Sequence, residues 1–254
     1  MPRFDGAVAV VTGGGQGIGA AVAQALASEG AAVVVAARRA EPIEKLAAAV
    51  RDAGGKAWAV VCDVTDPASV HGLAQAAARR GGVVDILVNN AGAAHSAPLA
   101  KITLEDWNRV LAVNATGTFL CTQAFIPAML MRKKGSVVNV ASVAGLAGAR
   151  YIAAYAAAKH AVIGLMRSVA AELEGTGVTC NAVCPGYVDT DMTKESIARV
   201  VTKTGKDSGD ALAAMLASAG QKRLITVEEV AEAVLRLCDP RGARPNGKAV
   251  TIAG

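Results

Sequence analysis

Tyr155-Ala-Ala-Ala-Lys159 is the first place in this sequence where side chains could do chemistry together. In a helical stretch, an i,i+4 spacing sets the phenol and the ammonium on one face, a turn apart. A cation held there favours phenolate and lowers the tyrosine pKa from ~10 towards neutrality. Tyr155 would then give or take a proton at a carbonyl or alcohol oxygen. Tyr151 does not qualify, because the residue four further on is Tyr155 and not a lysine. Alone, the pair reads more readily as a surface contact. Two polar residues join it: Ser142, directly after the apolar run VVNVA and thirteen residues before Tyr155, and Asn114, which interrupts the apolar LAVNATGTFL. A buried amide needs partners, so Asn114 reads either as a site residue or as a satisfied core asparagine.

A second constellation lies near the start, in Thr12-Gly-Gly-Gly-Gln-Gly-Ile-Gly19. It follows an apolar run of strand length and opens the helical AAVAQALASEG. Gly13, Gly17 and Gly19, with Gly15, Gln16 and Ile18 between them, would let backbone approach a pyrophosphate while a helix N-terminus points free N–H groups at it. A dinucleotide is therefore expected. Sites for NAD place a carboxylate at the end of the second strand to hold the ribose. Here Val-Val-Ala-Ala37 runs into Arg38 and Arg39, with no carboxylate before Glu41. Two guanidiniums suit a 2′-phosphate, which favours NADP over NAD. Asp63 and Val64, closing the third apolar run, are candidates to meet the adenine, with a capping role for Asp63 as the alternative. Asn89, Ala91 and Gly92 end the fourth run in residues suited to lining the same cleft.

The elements that must position these residues follow from period. Residues 7–11, 31–37, 57–62, 83–88, 135–141, 177–184 and 248–252 are β-branched-rich runs, mostly apolar throughout, as when both faces of a sheet are covered. Helical segments lie between them, with start signals at Asp66-Pro67, Thr103-Leu-Glu-Asp106 and Thr226-Val-Glu-Glu229. The alternation predicts an α/β chain of parallel βαβ units with right-handed crossovers, a sheet with both faces covered. No linker divides residues 1–254, so one domain is expected. The rhythm lapses only between Val188 and Ile225, where a lid over a substrate would sit.

Composition narrows the function classes. The 254 residues are 53% hydrophobic, 19% charged and 3% aromatic, which excludes global disorder and gives no aromatic platform for nucleic acid. The formal charge of +5 is scattered, without the basic stripe that grips a polyanion. Mean hydropathy is +0.38, yet the longest uncharged stretch, Val110 to Met131, is broken by polar residues and Pro127; no membrane span is expected. The N-terminal run does not read as a signal peptide. Five cysteines in apolar context, with no C-x-x-C and three histidines elsewhere, suggest buried thiols in a reducing cytoplasm and no metal site.

With TGGGQGIG, NNAG, Asn114, Ser142, YAAAK and Cys184-Pro-Gly-Tyr-Val-Asp-Thr190 in one order, the chain resembles, from end to end, the short-chain dehydrogenase/reductase family of the classical type. The resemblance implies an α/β, doubly wound Rossmann fold with a seven-stranded parallel sheet and helices on both faces, a homotetramer and a catalytic set of Asn114, Ser142, Tyr155 and Lys159. Tyr155 would be the general acid and Ser142 would polarise the substrate carbonyl. Lys159 would bind the nicotinamide ribose and depress the Tyr155 pKa, and Asn114 would hold a water of the proton relay. Pro185, Gly186, Val188 and Thr190 would flank the nicotinamide. Departures are Ala158 where the family often has serine, the ending TIAG, and Gln16 where NADP-dependent members usually carry a base. The sequence is most similar to reductases of 3-oxoacyl thioesters borne on coenzyme A or acyl carrier protein, and to polyketide ketoreductases. Lys194, Arg199, Lys203, Lys206, Lys222 and Arg223, or Arg132-Lys133-Lys134, could meet a phosphorylated carrier or be a solvated face. A cyclic or sugar ketone is the alternative substrate, and a non-catalytic NADP-binding regulator the alternative of another class.

Overall fold

A computed structural model describes residues 1–205 and 207–254. Lys206, one of the bases named above, lies outside the described residues. Seven strands form a single sheet in the order β3-β2-β1-β4-β5-β6-β7. They are β1 (Val8–Thr12), β2 (Ala32–Ala37), β3 (Lys56–Val61), β4 (Ile86–Asn89), β5 (Gly135–Val140), β6 (Val178–Pro185) and β7 (Ala249–Ile252), and every pairing is parallel. The helices are α1 (Gly17–Ser28), α2 (Ala40–Asp52), α3 (Pro67–Gly81), α4 (Leu104–Leu111), α5 (Gly117–Arg132), α6 (Ala153–Glu172), α7 (Asp191–Thr204), α8 (Ser208–Ser218) and α9 (Val227–Cys238).

Uninterrupted apolar runs are needed because both faces of the sheet are covered. Ala9, Val11, Val33 and Val35 pack into one core with residues of α1, α2 and α9, while Val8, Val10, Val34 and Ala36 pack into the other with α3, α5 and α6. Each such valine contributes roughly 1.5 kcal/mol when fully buried. The start signals act as expected. Asp66 caps α3 with Pro67 at its first position, Thr103 caps α4, and Thr226 and Glu229 make a reciprocal box on α9. α4 and α5 run on through a π turn at Ala112–Thr116, giving a helix from Leu104 to Arg132 long and apolar enough, by length and composition, to cross a membrane. In the fold, its Cys121, Thr122, Phe125 and Met129 are buried on the sheet side.

Two features position a site. Strand order reverses between β1 and β4, which opens a crevice beyond the carboxyl ends of the strands. The excursion after β6 closes on itself. Val188 bridges Ile225, and Ile225 N–H donates to the Tyr187 carbonyl at 3.0 Å, so α7 and α8 leave and rejoin the body at one point beside that crevice.

Candidate active site

The β1–α1 turn is shaped by what cannot fit in it. Gly13 and Gly17 take φ of +63° and +52°, the left-handed region that favours glycine. A Cβ on Gly13 would lie 2.9 Å from Ala91 Cα, and one on Gly15 would lie 2.9 Å from Pro42 Cβ. At Gly19 a Cβ would collide with the Asn90 amide and the Gly13 carbonyl. Ile18 turns partly into the core beside α1. The result is bare backbone at a helix N-terminus, the form a pyrophosphate requires.

Asn90 and Thr12, which the motif reading passed over, hold this turn. Asn90 Nδ2 donates to the carbonyls of Thr12 and Gly13 at 2.9 and 3.1 Å, and Thr12 Oγ1 accepts from the backbone of Asn90 and Ala91 at 3.0 and 3.1 Å. Asn89, expected in the cleft, instead sends its side chain into the sheet interior. Its Nδ2 donates to Thr122 Oγ1 at 3.0 Å and Asn139 Oδ1 at 2.9 Å. Neighbours on a strand face opposite ways, so only one asparagine of the pair can tie down the glycines.

Arg38 and Arg39 are exposed beyond β2. Arg39 Nη2 donates to Gln16 Oε1, which ties the end of β2 to the glycine turn. Asp63 Oδ1 accepts from the backbone and hydroxyl of Thr65 at 2.9 and 2.8 Å. These bonds, with a smaller pull from the Arg38 charge, hold its carboxyl below the usual range. Val64 packs over Gly117, where a Cβ would come within 2.6 Å of its side chain.

Across the crevice, Thr190 caps α7 and its methyl lies 3.3 Å from where a Gly17 side chain would begin. Pro185 closes β6, and its carbonyl accepts from Ser142 Oγ at 3.4 Å. Gly186 leaves no room for a side chain against Gln221, whose Oε1 accepts from Tyr187 N–H at 2.7 Å. Gln221 gave no signal in the sequence. Val188, expected beside the nicotinamide, is 4% exposed and packs in the core with Ile225; its bridge to that residue turns the side chain inwards.

The four catalytic candidates come together. Ser142 follows β5 and accepts from Ala144 N–H at 3.1 Å. Tyr155 and Lys159 share a face of α6, with Lys159 Nζ 5.6 Å from the Tyr155 ring centre and donating to the Val140 carbonyl at 2.9 Å. Asn114 sits in the π turn, a form common at functional sites. Its Nδ2 donates to the carbonyls of Ala93 and Val110 at 2.7 and 2.8 Å. Its Oδ1 is buried without a partner among the described residues. Gly92 joins the group, since a side chain there would meet Asn114 Oδ1 at 3.0 Å and Lys159 Nζ at 3.8 Å. Ala158 fills the packed layer between α4 and α6 with Val110, Trp107 and Leu111, against which Tyr155 also rests.

One electrostatic expectation is corrected. Burial pushes the Tyr155 hydroxyl up to about 12, against a smaller lowering from its bond with Ser142, and burial pushes Lys159 down to about 8. The cost of burying charge exceeds the attraction the i,i+4 spacing implied, so burial sets the direction of both shifts. A separate cavity of about 580 Å³ contains none of these groups; it is lined by Arg167, Glu174 and Arg244 near the start of β6.

Residues 7–201 match the family model described as short chain dehydrogenase. Over 252 residues the chain is 38% identical to a D-threitol dehydrogenase of Mycolicibacterium smegmatis, covering 99% of this chain and 93% of the relative. Over 195 residues it is 43% identical to a 3-oxoacyl-[acyl-carrier-protein] reductase of Synechocystis sp., covering 76% and 79%. A crystal structure of an actinorhodin polyketide ketoreductase variant with NADPH is similar at a TM-score of 0.92 and 36% identity, covering 99% of this chain and 97% of that one. The glycine cradle, the open Asn114 oxygen and the Ser142, Tyr155 and Lys159 cluster fit what such proteins require, and the chain belongs to the short-chain dehydrogenase/reductase family of NAD(P)-dependent oxidoreductases.

Proposed function

We propose that this protein is an NADP(H)-dependent reductase that converts a 3-oxoacyl thioester, carried on coenzyme A or acyl carrier protein, into the 3-hydroxyacyl form. The observation that carries this reading is the gathering of Ser142, Tyr155 and Lys159 with the unpartnered Asn114 oxygen, Lys159 Nζ lying 5.6 Å from the Tyr155 ring centre. A neutral phenol is a proton donor at physiological pH. Tyr155 gives its proton to the carbonyl oxygen, and Ser142 Oγ donates a hydrogen bond to the same oxygen as negative charge grows on it. The Lys159 ammonium stabilises the phenolate left behind and holds the nicotinamide ribose. The open Asn114 oxygen is placed to hold a water through which the proton is replaced. The bound cofactor supplies the hydride that the carbonyl carbon accepts.

Preference for NADP rests on Arg38 and Arg39, exposed at the end of β2 with no carboxylate among them. The backbone of Gly13 to Gly19 takes the pyrophosphate, and Pro185, Gly186 and Thr190 flank the nicotinamide. Thioesters are favoured by the ketoacyl reductases among the relatives. α7 and α8 act as the lid, bringing Lys194, Arg199 and Lys203 towards a phosphorylated carrier. Five buried free thiols among the described residues agree with a cytoplasmic enzyme. Exposed Phe119, Leu130 and Met131 on α5 offer an apolar face for assembly into a homotetramer.

The test is NADPH oxidation with acetoacetyl-CoA and with a cyclic ketone, run with NADPH and NADH on the wild type and Arg38→Asp. Turnover of the thioester with NADPH is expected, and the NADPH preference should fall at least tenfold in the variant. Flat absorbance with the thioester while the cyclic ketone is consumed overturns the substrate. An unchanged coenzyme ratio overturns the role of Arg38.

A further inference from the structure

We propose that His95 is a specificity-determining residue of this site, its Nε2 held open as an acceptor for an N–H or O–H donor on the substrate beyond the reacting carbonyl. The inference rests on the carbonyl-reductase reading above. His95 lies in the loop after β4, and both ends of that loop are tied to the catalytic cluster. On one side, the Ala93 carbonyl accepts from Asn114 Nδ2 at 2.7 Å. On the other, Ala97 N–H donates at 2.8 Å to the carbonyl of Tyr151, four residues before Tyr155. Tyr151 is itself held at φ +69°, a left-handed conformation that non-glycine residues keep only when their surroundings impose it. The loop therefore runs from Asn114 to the segment that leads into α6.

Within that loop the imidazole is aimed from one side and open on the other. Nδ1 lies 3.5 Å from Asp106 Oδ1. That same Oδ1 accepts from Arg109 Nη2 at 2.9 Å, and Oδ2 accepts from the Thr103 hydroxyl at 3.0 Å. These bonds and the His95 contact keep the Asp106 carboxyl low, with Arg109 the largest cause, so it presents charge to the ring and favours the proton on Nδ1. Nε2 is then the bare nitrogen, and it is buried with no partner among the described residues. The ring is 23% exposed while Nε2 itself is covered, so a ligand meets that nitrogen only where the loop gives way to it. Buried polar atoms in native proteins are nearly always paired, and an oriented imidazole left open beside a catalytic cleft marks a place for a ligand. A thioester of a pantetheine arm brings such a donor in its first amide N–H; a polyol brings one in a neighbouring hydroxyl.

The experiment compares two 1,3-dicarbonyl substrates that differ in this donor: acetoacetyl-N-acetylcysteamine, which has an amide N–H, and ethyl acetoacetate, which has none. The readout is the ratio of their kcat/KM values in the wild type, His95→Phe and His95→Gln, whose side-chain oxygen can stand where Nε2 stood. His95→Phe is expected to lower the ratio about tenfold, mainly through KM for the amide substrate, and His95→Gln to restore most of it. A ratio unchanged by His95→Phe, or Gln no better than Phe, overturns the assignment. A folded wild type that reduces neither substrate removes the reductase reading and this assignment together, a result distinct from an active wild type with an unchanged ratio.

Discussion

The two ends of one sheet treat buried polar groups in opposite ways. At the amino end, Asp85 is 6% exposed and every oxygen is used. Oδ2 accepts from Val8 N–H at 3.0 Å, and Oδ1 takes Arg132 at 3.0 Å and Lys134 at 3.3 Å. Its backbone bridges β1 and β5, through Val8 and Ser136 at 2.8 Å each. At the carboxyl end, Asn89 Oδ1, Asn114 Oδ1 and His95 Nε2 are without partners among the described residues, and Tyr155 and Lys159 are driven away from their ordinary pKa values. The same strands support both ends, so the contrast is one of use. Satisfied polar groups fix the amino end, and the unsatisfied ones gather at the carboxyl end, where the catalytic candidates lie.

The contrast can be broken by exchanging the effects. Asp85→Ala removes the acceptor of a buried N–H and should lower unfolding free energy by about 2–3 kcal/mol in urea melts, with kcat of the folded enzyme within twofold of wild type. A stable variant, or one that loses kcat, would show that the amino end is not purely structural. Next in size is a pH effect. Lys159 titrates near 8, so kcat/KM for reduction should be level below that and fall about tenfold per unit above it. A flat profile to pH 10 contradicts a role for the ammonium. The smallest effect is on stability. The folded state binds the Lys159 proton more weakly than the unfolded chain, so its cost is complete below about pH 8 and fades as pH rises towards 10.5. Lys159→Met should therefore gain about 1 kcal/mol at pH 7, after losing the bond to Val140, and at pH 10.5, where the burial cost has gone and the lost bond remains, it should be less stable than wild type. Equal gains at both pH values would refute the linkage.

How much of this was legible follows the same division. Apolar, β-branched-rich runs made all seven strands visible, most of them within a residue of their starts; β4 begins three residues after the start of its run, at Ile86, because Asp85 is tied down at its entrance. The glycine turn was readable because its requirement is steric and local. In a fully buried strand, however, no alternation tells which asparagine of Asn89-Asn90 faces the cleft, and that is where the reading went astray. Spacing put Tyr155 and Lys159 on one face but carried no information on burial, which decides their pKa values. Val188 turned inwards through a bridge to a residue thirty-seven positions away, and Gln221 and His95 owe their places to contacts just as distant from local pattern.

The central claim is that the Tyr155 hydroxyl is the proton donor in a carbonyl reduction for which the rest of the carboxyl end is arranged. Its most direct test is Tyr155→Phe, with NADPH binding followed by fluorescence titration and ketone reduction by absorbance. The account predicts unchanged NADPH affinity and a loss of turnover of about a thousandfold or more. Turnover within tenfold of wild type, with the fold intact, would contradict it.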